Sequence, residues 1–252
     1  MICVEQAEGN HVCVLTAPAL SPGLHNPRVP DVFLPFLEDY AVKHRCTLVR
    51  AEVGAPENGP CPAGYRRETD SDGREWLVRH LELWDLCDRE GHPTGQVWDR
   101  RNAERIPEGT YHIVCDVLIL NREGEYLLTQ RDLRKETHPG EWEASGGGSA
   151  LMGETPLEAA RREMLEETGL TPADMELVGV TLHGRGLYYS YLVHTEDARD
   201  SVRLQEGETV DYRWVTPAQL IAITREEGGL KAHNERYRSY LDQLEETLKN
   251  RS

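Results

Sequence analysis

Residues 148–170 read Gly148-Ser-Ala-Leu-Met-Gly-Glu154-Thr155-Pro156-Leu157-Glu158-Ala-Ala160-Arg161-Arg162-Glu163-Met164-Leu-Glu166-Glu167-Thr-Gly169-Leu170, and the rest of the chain is organised around them. The second half carries the marks of a helix at both ends. Thr155 and Glu158 have capping-box spacing around Pro156 at the first helical position, and Gly169 can supply a left-handed stop. Leu157, Ala160 and Met164 fall at i, i+3 and i+7, which predicts one apolar stripe buried against a sheet, with Glu163, Glu166 and Glu167 beside it.

Three carboxylates at i, i+3 and i+4 repel one another on a helix, and a cation offsets the repulsion best. Hard divalent ions such as Mg²⁺ and Mn²⁺ suit such oxygens and commonly bridge from them to substrate phosphates. The alternative is a solvated acidic face paired with Arg161 and Arg162. The flanking residues decide between the two: Gly148, Glu154 and the run Arg162-Glu163-Met164-x-Glu166-Glu167-x-Gly169-Leu170 match every fixed position of the Nudix box. The sequence therefore resembles the Nudix hydrolase superfamily over about Leu81 to Leu220. That resemblance implies a loop–helix–loop that binds divalent metal and cleaves the diphosphate of a nucleoside diphosphate derivative. By the same resemblance, Glu166 and Glu167 hold metal with the carbonyl of Gly147 or Gly148. Glu163 holds metal or acts as base, and Arg162 and Glu154 brace the loop. Glu208, six residues before Trp214, matches a position where many members place a further metal ligand or base.

At 252 residues and a net charge of −16, the chain has room for two domains and carries no basic run to suit a nucleic-acid polymer or an anionic membrane. The partner expected is a small-molecule diphosphate, bound with the help of Mg²⁺ or Mn²⁺. No apolar run reaches membrane-spanning length, and Met1-Ile2-Cys3-Val4-Glu5 lacks a signal-peptide layout, so the expected location is cytoplasmic. The six cysteines form no Cys-x-x-Cys pair and are read as reduced thiols.

Residues 1–79 are expected to form a small α/β domain. Strands are predicted at Met1–Val4 and Val12–Thr16, a helix near Asp31–His44, a strand at Thr47–Val53, and a hairpin of Tyr65–Glu68 and Glu75–Arg79 about Asp72-Gly73. Pro35 is read as early enough in that helix to be tolerated. This order of elements is similar to the later half of acetyl-CoA-dependent N-acetyltransferases, although Ser21-Pro22-Gly23-Leu24 lacks the spaced glycines that cradle a pyrophosphate. A structural or substrate-capping role fits better.

Residues 80–252 are expected to form the catalytic domain, of Nudix fold: a mixed sheet between helices, α/β or α+β in class. A hairpin around Asp88–Gly91 precedes a central strand at Tyr111–Leu120. The strand Glu125–Arg131 then delivers Arg131, Lys135 and Trp142 to the approach of the box. Met175–Val180, Gly186–His194 and Val210–Val215 follow as strands. A helix capped by Thr216-Pro217 runs to about Glu227 and is broken at Gly228-Gly229. The last helix opens at Asn234, with Tyr237, Tyr240, Leu241, Leu244 and Leu248 on a face suited to packing or to a homodimer. Tyr188, Tyr189 and Tyr191 are candidates for stacking on a base or ring, with core packing assigned to two of them.

The approach resembles the branch of the superfamily related to isopentenyl-diphosphate isomerase, in which the arginine and lysine matching Arg131 and Lys135 touch the diphosphate. Surface ion pairing is the alternative for both. The isomerase needs Asn-x-Cys-x-His after its tryptophan, and this chain has Glu143-Ala144-Ser145-Gly146-Gly147-Gly148 there. His112, which matches an isomerase metal ligand, is read as structural. Hydrolysis of a diphosphate is accordingly the leading reading, with isomerisation of prenyl diphosphates and non-catalytic nucleotide sensing as the alternatives.

Overall fold

The computed structural model describes residues 2–7, 10–15, 29–53, 61–135, 138–172, 174–225 and 235–251. The stretch Ser21-Pro22-Gly23-Leu24, the helix break at Gly228-Gly229 and the helix start at Asn234 lie outside the described residues. The chain forms two compact units, one of residues 1–84 with 96–105 and the other of residues 85–95 with 106–252.

The first unit is built on a five-stranded sheet of order β1-β2-β3-β5-β4, from β1 (Ile2–Ala7), β2 (Asn10–Leu15), β3 (Leu48–Val53), β4 (Arg66–Thr69) and β5 (Glu75–His80). β2 and β3 run parallel, so the chain must cross over between them, and α1 (Val29–Lys43) lies in that crossover. Leu34, Leu37 and Ala41 bury the α1 face, while Val12, Val14, Trp76 and Val78 form a cluster of their own. Pro35 falls further inside the helix than its sequence position suggested, because the helix begins at Val29, and its ring is exposed. The buried Glu38 of α1 accepts hydrogen bonds from Tyr65 Oη (2.8 Å), Arg79 Nη1 (3.2 Å) and Arg101 Nη1 (2.8 Å), so its charge is fully partnered.

The hairpin of β6 (Leu83–Cys87) and β7 (Pro93–Asp99) has its base in the first unit and its tip, residues 85–95, in the second. In the second unit the long apolar β8 (Tyr111–Leu120) is central, as its β-branched run predicts. It pairs in parallel with β13 (Gly186–His194), which pairs with the outer β12 (Met175–His183), and antiparallel with β11 (Gly146–Ser149). β9 (Tyr126–Arg131) meets β8 only at Leu120–Tyr126 and then pairs with β10 (Trp142–Ala144) and β14 (Thr209–Val215).

Strand alternation sorts the side chains into two layers. Cys115, Val117, Ile119 and Leu127 face α2 (Pro156–Thr168) through Ala159, Ala160 and Met164. Leu118, Tyr126, Leu128 and Ala144 face the opposite layer, made by α3 (Pro217–Arg225) and α4 (Arg238–Arg251) with Leu220, Tyr237 and Leu241. The expected mixed sheet between helices is thus what forms. The apolar face of the last helix is used within the chain, against this core. Among the described residues no helix is long and apolar enough to cross a membrane.

Candidate active site

α2 starts and stops as its sequence dictates. Thr155 accepts from the Glu158 N–H, the Glu158 carboxylate accepts from the Thr155 N–H (2.8 Å), and Gly169 closes the helix at φ 67°. The buried face differs from the expected stripe. Leu157, in the first turn, is 37% exposed, whereas Glu167 is only 8% exposed and sits one turn below the buried Met164. A polar letter at that position reads as surface, yet the helix turns it inward over β11.

Glycines make this possible. A Cβ at Gly148 would lie 2.3 Å from Glu163 Oε1, and one at Gly146 would lie 3.0 Å from Glu167 Oε2, so the bare backbone of β11 leaves the room in which the two carboxylates sit. The Gly147 N–H donates to Glu167 Oε2 (3.1 Å). Burial, reinforced by the charges of Glu163 and Glu143, pushes Glu167 up to about 8 against the pull of that N–H. Burial likewise raises Glu163 and Glu143 despite their arginine partners.

Arg162 ties the loop before α2 to the helix. Its Nε and Nη2 donate to the two oxygens of Glu154 (2.7 and 2.9 Å), its Nη2 also reaches the Ser149 carbonyl (3.2 Å), and its Nη1 reaches Glu163 Oε1 (2.7 Å) and Glu166 Oε2 (3.2 Å). Burial raises Glu154, but the bonds from Arg162 and from the Leu151 N–H outweigh it and hold the carboxyl below its ordinary range. Glu166, at 48% side-chain exposure, faces solvent beside Glu163.

The cations of the approach stand on the same face. Arg131 Nη1 lies 3.2 Å from both oxygens of Glu143, and Lys135 is ion-paired with Glu208. The turn that carries Lys135 is held back on β14, where the Asp132 N–H donates to the Glu208 carbonyl (2.9 Å). Trp142 is not brought to this group. Glu143 points into the site, so alternation sends its neighbour to the opposite layer, where Trp142 packs against the second core with Arg213 stacked 4.1 Å from its ring centroid. His112 Nδ1 lies 3.0 Å from the Arg185 carbonyl. Tyr191 is buried, Tyr189 packs beside it, and Tyr188 lies under Arg236 at 3.8 Å.

Two further acids belong to this face without a role assigned from sequence: Glu143, which stands in the stretch after the tryptophan, and Asp116. A lone acid inside Val114-Cys115-Asp116-Val117-Leu118 is the signal that was available. Asp116 is 4% exposed, accepts from Arg236 Nη1 (2.8 Å), and among the described residues has no hydrogen-bond partner at Oδ2. Its burial, opposed by Arg236, pushes it up to about 6.

The donor set suits a hard divalent ion: Glu167 is buried with a single N–H donor among the described residues and lies among Glu163, Glu143 and Glu208, a concentration of charge that a cation would relieve. Among the described residues no group of three His, Cys, Asp or Glu side chains is drawn close enough to hold a metal ion by itself. An ion that takes a few carboxylates and completes its shell with water and substrate phosphate does not require one.

The profile of the NUDIX domain matches residues 110–243, more than half of the 252-residue chain. The chain belongs to the Nudix family and is an enzyme of the Nudix hydrolase type. It is 35% identical over 148 residues to an uncharacterized Nudix hydrolase of Listeria monocytogenes, a match that covers 57% of this chain and 85% of that protein. It is also 30% identical over 155 residues to an isopentenyl-diphosphate Delta-isomerase of Corynebacterium diphtheriae, covering 57% of this chain and 84% of the relative. A solved structure from Deinococcus radiodurans, 19% identical, covers 59% of this chain and 92% of its own, with a TM-score of 0.48.

Proposed function

We propose that the protein hydrolyses the diphosphate linkage of a nucleoside diphosphate derivative or a related organic diphosphate, with Mg²⁺ or Mn²⁺ held by Glu163, Glu166 and Glu167, a glycine carbonyl of β11 and Glu208. One observation carries this reading: the buried Glu167 of α2, among other carboxylates and against the bare backbone of Gly146 and Gly147. A bound divalent ion would supply charge neutralisation at the phosphate oxygens and a lower pKa for water.

The chain's own residues divide the remaining work. Arg162 holds Glu163 and Glu166 at fixed spacing and locks the loop through Glu154. Arg131 offers a planar fork and Lys135 a point charge, and both turn from their carboxylate partners to the diphosphate. Glu163, which burial raises above an ordinary carboxylate and so makes a stronger base, is suited to take a proton from water.

Some relatives are named isopentenyl-diphosphate Delta-isomerases, which makes isomerisation the second reading. The site offers it no thiol. Ser145, in the stretch where the isomerase pattern has its cysteine, is fully buried and spends its hydroxyl on the Leu127 carbonyl (2.8 Å) and the Ile119 N–H (2.9 Å). The buried Cys115 donates to the Pro156 carbonyl (3.0 Å). Isomerisation needs a positioned acid and base on opposite faces of an apolar chain, whereas hydrolysis needs metal, water and a carboxylate.

The test is a panel of nucleotide sugars, dinucleoside polyphosphates, ADP-ribose, NADH, coenzyme A and nucleoside triphosphates, each with Mg²⁺, with Mn²⁺ and with chelator. At least one member is cleaved at its diphosphate only when metal is present. Metal-independent cleavage, or none across the panel, would remove the reading.

A further inference from the structure

A carboxylate outside the Nudix box reaches into its loop. Asp85, on β6, accepts the Gly153 N–H at Oδ2 with a distance of 2.7 Å. Gly153 stands at φ 89°, in the left-handed region where a side chain is strained, so the chain turns sharply at that residue. The next residue is Glu154. Its carboxylate accepts the Leu151 N–H (2.8 Å) and both arms of Arg162, whose remaining nitrogen reaches Glu163 and Glu166. An unbroken chain of contacts therefore runs from Asp85 through the Gly153 turn and the Glu154–Arg162 pair to the carboxylates assigned to the metal.

The geometry points to Asp85 as a positioning residue for the metal site, one that sets the Gly153 turn from the neighbouring hairpin and so fixes where Arg162 holds Glu163 and Glu166. Its place in the fold supports the assignment. The loop between β11 and α2 has an internal bond from the Leu151 N–H to Glu154, a tie to α2 through Arg162 on Glu154, and a tie to β8 at its first residue, where the Ala150 N–H donates to the Ile113 carbonyl (2.9 Å). Asp85 ties it to a different element. Leu86 and Cys87, which follow Asp85 on β6, pair with His112 and Tyr111 of β8, so Asp85 is anchored to the central strand of the sheet. The tip of the same hairpin lies against β13: a Cβ at Gly91 would fall 2.4 Å from the Tyr189 hydroxyl. The box loop is thereby referenced to the sheet on which β11 also lies, and the two sides of the metal site share one frame.

This assignment rests on the proposed metal role of the box, and the experiment separates the two. Mn²⁺ is titrated into the metal-free full-length protein by isothermal calorimetry for the wild type, Asp85→Ala, Asp85→Asn and Glu167→Gln, with thermal melts of each in chelator. Asp85→Ala is expected to weaken Mn²⁺ binding by about tenfold, as the loss of a partner that orients metal ligands does, with its metal-free melting point unchanged. Asp85→Asn keeps an oxygen for the Gly153 N–H and restores most of the affinity. Wild-type Mn²⁺ affinity in Asp85→Ala, beside a large loss in Glu167→Gln, would overturn the role of Asp85 and leave the metal site standing. Equal weakening in Asp85→Asn and Asp85→Ala would also overturn it, since charge and not the hydrogen bond would then be at work. Unchanged affinity in Glu167→Gln would instead sink the metal reading itself.

Discussion

Replacing Glu167 with glutamine should stabilise the metal-free protein and destroy its activity. The side chain is 8% exposed and has one hydrogen-bond donor, the Gly147 N–H, which glutamine can keep through its carbonyl oxygen. What the change removes is a charge buried among Glu163, Glu143 and Glu208. The sign follows from linkage. The folded value, pushed up to about 8, stands above the ordinary carboxylate value of 4.5, so the folded protein binds the proton more tightly than the unfolded chain does. Its contribution to stability is whole below the ordinary value and is lost as pH rises through about 8.

At roughly 1.4 kcal/mol per pKa unit the loss is at most about 5 kcal/mol, and relaxation around the charge would reduce it to roughly 2–3 kcal/mol. A change of that size is roughly 5–10 °C in the melting point of a domain this large. Melts in chelator from pH 5 to 8.5 would show it. The wild type loses stability across that range, and Glu167→Gln loses much less, so the variant melts higher at pH 8. Added Mg²⁺ should stabilise the wild type more at pH 8 than at pH 5.5 and do little for the variant. Parallel pH profiles for the two proteins, or a variant that melts lower at pH 8, would refute the placing of an uncompensated charge at this position.

Glu163→Gln should reduce turnover by about 100-fold or more while the melting curve in chelator stays at or above that of the wild type. Arg131→Met should raise KM for the diphosphate by about tenfold or more and leave Mn²⁺ affinity nearly unchanged, which would separate a phosphate contact from a metal contact. Thr155→Ala removes the α2 cap and should cost about 1 kcal/mol in denaturant unfolding, with the loss of activity no larger than the loss of folded protein.

Much of the second unit was legible because its signals are local. The capping box, the left-handed Gly169 and the apolar run Tyr111–Leu120 each depend on a few neighbouring residues, and each forms as read. The box carboxylates were legible as a pattern, but their depth was not. Glu167 lies on the buried face because Gly146 of β11, about twenty residues earlier in the chain, leaves its carboxylate room, as Gly148 does for Glu163, and such a pairing of distant segments has no local signature. Trp142 shows the same limit. A tryptophan four residues from a glycine run looks like part of the site, yet pairing with β9 sends Glu143 inward and Trp142 to the far layer. Asp116 was visible as a lone acid in an apolar strand, but its partner Arg236 is 120 residues away.

The most direct test of the account is the fate of oxygen and hydrogen in the reaction. With Mg²⁺ in ¹⁸O-labelled water, a cleaved nucleoside diphosphate derivative should yield a monophosphate carrying one labelled oxygen. Isopentenyl diphosphate in deuterated water should show neither a dimethylallyl isomer nor deuterium in its carbon chain by NMR. Deuterium in the prenyl chain, or cleavage products without labelled oxygen, would contradict the assignment of this site to metal-assisted attack of water on a diphosphate.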